Sequence, residues 1–131
     1  MKANKEIKDY KLLIVDDAKV MLQIIKGQLN QIGFPWVDQA TDGEAALRKM
    51  KEVTYDLIIS DWNMEPMSGI ELLKAIRANP TSQAIPVILI TAETKIDNVI
   101  EAKKAGVNNY IIKPFNQTTL KEKLITVIGQ F

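Results

Sequence analysis

"YDLIISDWNMEPMSG", residues 55–69, decides how the chain folds. Leu57, Ile58 and Ile59 are apolar at consecutive positions, which reads as a strand buried on both faces. The run ends on the carboxylate of Asp61, followed by Trp62 and Asn63. Downstream, Ser68 is a good N-cap for a helix over 68–79, which stops before Pro80.

The same alternation extends outward in both directions. "KLLIVDD" (11–17) is an apolar run ending in two acids. The segment 18–33 has apolar residues at 21, 22, 24, 25, 29 and 32, a helical spacing that stops at Gly33. A short strand over 36–40 and a helix over 42–51 precede the opening stretch. A strand over 85–91, a helix over 97–106, a strand over 109–113 and a helix over 116–131 follow it. In the last helix Leu120, Leu124, Ile125, Val127 and Ile128 form the inner stripe. Its outer face, with Lys121, Glu122 and Lys123, is either solvated or partner-facing.

Five strand–helix pairs imply parallel βαβ units with right-handed crossovers. The expected fold is therefore α/β, a three-layer (βα)5 domain around a five-stranded parallel sheet. It spans 8–131, behind a short polar arm over 1–10, with no internal repeat and no output domain.

Composition excludes several functions. The 131 residues carry 17 basic and 16 acidic side chains, so the net charge of +1 lacks the basic excess of a nucleic-acid binder. No apolar run approaches the ~18 residues of a membrane span, and the amino terminus lacks the apolar core of a signal peptide. The absence of Cys excludes thiolate metal sites and fits a cytoplasmic location. The absence of His excludes a Ser-His-Asp triad, a His-based zinc site and a phosphohistidine of the chain's own.

The remaining chemistry gathers at strand ends. Asp16 and Asp17 end the first strand, Asp61 the third, Thr91 the fourth, and Lys113, before Pro114, the fifth. In a parallel sheet these ends point the same way, and open α/β sheets bind ligands there. Three carboxylates in one pocket repel one another, a cost relieved by a proton or a divalent cation. Oxygen ligands alone select magnesium, manganese or calcium over zinc or copper. The Asn63 main-chain carbonyl is placed to join them, and magnesium suits such a set. A metal, a lysine, a hydroxyl and a forward-facing carboxylate are the parts of phosphoryl transfer. Asp61 would be the nucleophile. Each residue has a plainer reading: Asp16 and Asp17 could merely cap the first helix, and Tyr110 could be ordinary strand packing.

The segments "LLIVDDAKVM", "ATDGEAAL", "DLIISDWNM", "GIELLKAIR", "PVILITAE" and "AGVNNYIIKPF", in this order, resemble response-regulator receiver domains over roughly 8–130. They are most like the stand-alone regulators of chemotaxis. The resemblance implies the flavodoxin-like strand order 2-1-3-4-5. It implies phosphorylation of Asp61 by a histidine kinase or phosphotransfer protein, with Mg2+ (or Mn2+ in its place) on Asp16, Asp17, Asp61 and the Asn63 carbonyl. Thr91 and Lys113 would contact the phosphoryl group, and Thr91 and Tyr110 would form the switch. Asn63 and Glu93 would tune dephosphorylation, and the Lys113–Pro114 bond would be cis. The chain would catalyse its own phosphorylation and dephosphorylation. It would be a monomer, with a dimer allowed for on activation.

The output would be a changed affinity for a protein partner on the face of the fourth helix, fifth strand and fifth helix. The chain departs from the family in Glu65–Pro66 after Met64, in Ser68 before Gly69, and in apolar Ile96, which weakens the case for a flagellar-motor partner. Two competing readings remain. One is a phosphorelay intermediate or phosphate sink. The other is a flavodoxin-type cofactor binder, disfavoured because "DDAKVM" stands where a phosphate-cradling loop would be.

Overall fold

The computed structural model describes residues 6–92 and 96–129, the side chains of 96 and 97 excepted. Strands β1 (Lys11–Val15), β2 (Trp36–Ala40), β3 (Leu57–Asp61), β4 (Val87–Thr91) and β5 (Asn109–Ile112) alternate with helices α1 (Lys19–Ile32), α2 (Gly43–Glu52), α3 (Gly69–Ala78), α4 (Ile96–Lys104) and α5 (Gln117–Ile128). The strands pair in parallel in the order β2-β1-β3-β4-β5.

The order explains the layers. The chain steps one way from β1 to β2, then back past β1 to β3, β4 and β5. With right-handed crossovers, this reversal puts the first helix on one face and the next three on the other. Leu12 and Ile14 of β1 accordingly pack with Leu22, Ile25 and Leu29 of α1 and with Leu120 and Leu124 of α5. Leu13 and Val15, one residue out of phase, pack with Ala46 of α2, Leu72, Leu73 and Ile76 of α3, and Ala102 of α4. Every residue of β3 and β4 is buried, as a strand covered on both faces requires.

Helix starts follow their caps. Asp42 accepts from the Ala45 N–H at 2.7 Å. Asn116 accepts from the Thr119 N–H at 2.8 Å. Ser68 and Glu71 form a reciprocal capping box. Several elements are shorter than expected. β4 starts at Val87 rather than 85, α4 ends at Lys104, and α5 ends at Ile128. Gly106 (φ 93°) and Gly129 (φ 86°) take the left-handed backbone just beyond those two helices.

Of the polar arm expected over 1–10, residues 6–10 are described. Residues Ile7–Asp9 form one 3-10 turn, Ile7 packs on the core, and Tyr10 is buried edge-on to Phe34 at 5.8 Å. Burial of these two apolar side chains outweighs the polar character of their neighbours. Residues 1–5 lie outside the described residues.

Candidate functional site

The reversal of strand order opens between β1 and β3, and the acids meet there. Asp61 is the last residue of β3 and almost fully buried. Asp16 follows β1, also buried, and its Oδ1 accepts the Ala18 N–H at 2.9 Å. That bond serves the start of α1, whose N-cap residue, Ala18, offers no side-chain cap. Asp16 thus both shapes the loop and faces the site. Asp17 is exposed. One carboxylate oxygen from each of Asp16, Asp17 and Asp61 lies within 4.8 Å of the other two.

Lys113 reaches in from the end of β5, its Nζ 2.7 Å from Asp61 Oδ1. That oxygen is fully buried and accepts no other hydrogen bond among the described residues, so the ammonium is its compensation. Among the described residues no ammonium or guanidinium forms an ion pair with Asp16. Burial pushes its carboxyl above the ordinary range, against the Ala18 hydrogen bond; Asp61 and Asp17 push it further, against Lys113. An all-oxygen cluster with this residual repulsion fits a hard divalent cation.

Thr91 is buried at the end of β4, and its carbonyl accepts the Lys113 N–H at 2.8 Å. The Trp62 N–H donates to the Ile90 carbonyl at 2.8 Å, extending the β3–β4 pairing past Asp61. Asn63 is exposed at the mouth, where Asp17, Trp62, Asn63, Met64, Glu65 and Ser68 line a cavity of about 520 Å³. Trp62 is half-buried. The Lys113–Pro114 bond is cis, and so is Glu65–Pro66, which was not anticipated.

Asp16, Asp17, Asp61, Asn63, Thr91 and Lys113 are therefore at one end of the sheet. Tyr110 lies three residues before Lys113, half-buried, with its ring near Lys123 instead. Glu93 lies outside the described residues, and the Ile96 side chain is among those excepted. A second cavity, of about 550 Å³, lies between α2 and α3, lined by Leu47, Met50, Ala75 and Ile85 among others. It contains no acidic side chain and is separate from the carboxylates.

Gly69 belongs to the site, and sequence reasoning missed its role. A Cβ there would collide with the Asp61 carbonyl oxygen and lie 2.9 Å from Trp62 Cα. Its N–H donates to the Trp62 carbonyl at 2.8 Å. The start of α3 thus presses directly on the backbone that carries Asp61, which only a residue without a side chain permits. A lone glycine after a Ser cap was the available signal, but it does not say what approaches.

The chain matches the response regulator receiver domain family over residues 12–125. It is 50% identical over 117 residues to the chemotaxis protein CheY-3 of Vibrio cholerae, covering 89% of this chain and 90% of that protein. It is 46% identical over 114 residues to the chemotaxis protein CheY of Pseudomonas aeruginosa, covering 87% and 92%. The structure of Vibrio cholerae CheY4 superposes with a TM-score of 0.85 at 36% identity, covering 90% of this chain and 98% of that one. A receiver domain of a Pseudomonas aeruginosa sensor histidine kinase superposes with a TM-score of 0.82 at 29% identity, covering 92% and 98%, and is described with magnesium coordinated in its active-site cleft. No helix among the described residues is long and apolar enough to cross a membrane. With five parallel strands in the order 2-1-3-4-5 and an acidic pocket at their carboxyl ends, the chain belongs to the response regulator receiver domains, in their CheY-type branch.

Proposed function

We propose that the chain is a two-component signalling switch in a chemotaxis-type pathway, driven by phosphorylation of Asp61. The carrying observation is the Asp61 carboxylate at the end of the central strand. It is ion-paired to Lys113 at 2.7 Å and has Asp16 and Asp17 oxygens within 4.8 Å. Asp16, Asp17, Asp61 and the Asn63 carbonyl would hold a magnesium ion, with manganese as a substitute. Such an ion supplies charge neutralisation to the phosphoryl oxygens.

The donor is a phosphohistidine on a histidine kinase or phosphotransfer protein, because this chain has no histidine. An Asp61 oxygen attacks the phosphorus. The O–P bond forms as the P–N bond breaks, and the imidazole leaves with the electron pair. Lys113 then turns its charge from the carboxylate to the phosphoryl group, and the Thr91 hydroxyl moves to bond it. These contacts exist only in the phosphorylated state, so they bias the β4–α4 loop and Tyr110. The output is a changed affinity for a protein partner at the α4–β5–α5 face. Asn63 and Glu93 set how fast water removes the group. The chain acts in the cytoplasm as a monomer, with a dimer allowed for on activation.

Intact mass spectrometry and Trp fluorescence with magnesium and acetyl phosphate test this reading. The expected result is one added phosphoryl mass and a change at Trp62, both lost in Asp61→Asn, with Trp62→Phe isolating the background of Trp36. No mass gain in the wild type would overturn it.

A further inference from the structure

The edge strand β5 carries a cluster that the phosphoacceptor chemistry does not use. Lys123 of α5 places its Nζ 5.4 Å from the centre of the Tyr110 ring. The same ammonium lies 3.4 Å from Asn109 Oδ1, which also accepts the Tyr110 N–H at 2.8 Å. Asn109 donates from Nδ2 to Thr126 Oγ1 at 2.7 Å. Thr126 in turn donates its hydroxyl to the Lys123 carbonyl at 2.7 Å. The Lys123 ammonium thus meets the Tyr110 ring and the Asn109 carboxamide together, and Asn109 is itself tied to Tyr110 and Thr126.

A cation within about 6 Å of an aromatic face attracts it. Here that attraction acts on the one aromatic of β5, half-buried and next in line to the site. Tyr110 pairs with Leu89 of β4, and two residues on, Ile112 pairs with Thr91. Lys113, one further, is the counter-ion of Asp61. A ring that turned inward would leave the Lys123 cation behind, and a contact made in one state and not the other is the condition for shifting an equilibrium.

We propose that Lys123 is a positioning residue that restrains the Tyr110 ring against α5 and so sets how readily the unphosphorylated chain enters its activated conformation. This rests on the reading of Tyr110 as the moving element. The contact is partly exposed, so its removal should raise the activated population about two- to threefold. The phosphorylation rate with acetyl phosphate should rise by the same factor.

The test uses the full chain labelled with 3-fluorotyrosine, whose three tyrosines give three 19F signals, with Tyr110→Phe as the assignment control. Beryllofluoride with magnesium serves as the phosphoryl mimic. Without the mimic, Lys123→Met should move the Tyr110 signal part of the way towards its beryllofluoride position. Lys123→Arg, which keeps the cation, should leave it in place. Both variants alter a half-exposed side chain, and their melting temperatures check that they fold. A Tyr110 signal that beryllofluoride moves but Lys123→Met does not would overturn the restraint and leave the switch standing. A signal that beryllofluoride does not move in the wild type would overturn the switch reading, and the restraint with it.

Discussion

At the amino ends of the strands, Arg77 of α3 donates to the Ile85 carbonyl at 2.7 Å, to Asn108 Oδ1 at 2.8 Å and to the Gly106 carbonyl at 3.0 Å. Asn108 Oδ1 also accepts the Val87 N–H at 2.9 Å. Asp56 accepts the Lys11 N–H at 2.8 Å, and the Tyr55 hydroxyl donates to Asp38 at 2.6 Å. At the carboxyl ends the arrangement is the reverse. Two buried carboxylates and an exposed one crowd together, with one lysine to offset them. One end ties α3, β4 and the α4–β5 turn into a rigid frame. The other keeps an electrostatic deficit that a cation or a phosphoryl group can use. Local conflict at functional sites is borne by consistency elsewhere.

The comparison breaks first at Gly69, where the two requirements meet. Gly69→Ala should cost about 2–3 kcal/mol, because the added methyl meets backbone at Asp61 and Trp62 rather than a flexible side chain. Urea denaturation measures the loss, and acetyl-phosphate kinetics on the folded fraction should show slowed phosphorylation. A stable Gly69→Ala chain with normal phosphorylation would show that α3 does not brace the acceptor strand. Arg77→Ala should come next, at about 1–2 kcal/mol, chiefly because the part-buried Ile85 carbonyl loses its guanidinium donor, while the Gly106 carbonyl is exposed and Asn108 Oδ1 keeps the Val87 N–H. Its phosphorylation rate should stay near wild type, since the guanidinium sits at the other end of the sheet. Parallel loss of stability and rate in both variants would erase the distinction between the ends. Tyr55→Phe should be smaller again. It removes one hydrogen bond to a half-exposed carboxylate, costs about 1 kcal/mol and leaves phosphorylation unchanged.

Most of the frame was legible in the sequence because periodicity reports burial. Leu57 to Ile59 and Val87 to Ile90 read as strands covered on both faces, and their alternation with helical spacings implied parallel crossovers. The strand order was not legible from these patterns, since it depends on where the chain reverses, and it came from resemblance. The acids were legible because they end apolar runs. The stabilising network was not. Arg77 reads as one more charged position on an amphipathic helix, and its acceptors are 8 to 31 residues away. The role of Gly69 went unread for a similar reason: what a glycine makes room for is set by tertiary approach. Ile7 and Tyr10 were lost in a polar stretch because two apolar residues show no period.

The finest test of the contrast is pH. Asp16 has a folded pKa above its ordinary value, chiefly through burial, with Asp61 and Asp17 adding to it. The folded, metal-free chain therefore holds this proton where the unfolded chain has released it. Between the ordinary carboxylate pKa and the raised one, stability from this group falls as pH rises, and the loss is complete above the raised value. Asp16→Asn removes this ionisation while keeping an oxygen to accept the Ala18 N–H. Across that window the metal-free wild type should lose melting temperature relative to Asp16→Asn, by less than about 4 °C. Magnesium should close the gap for the wild type alone, because it offsets the charge that burial disfavours. Two parallel melting curves, unmoved by magnesium, would mean that the Asp16 carboxylate is relieved by its hydrogen bond to α1. The deficit at the carboxyl end would then belong to Asp61 and Asp17 only.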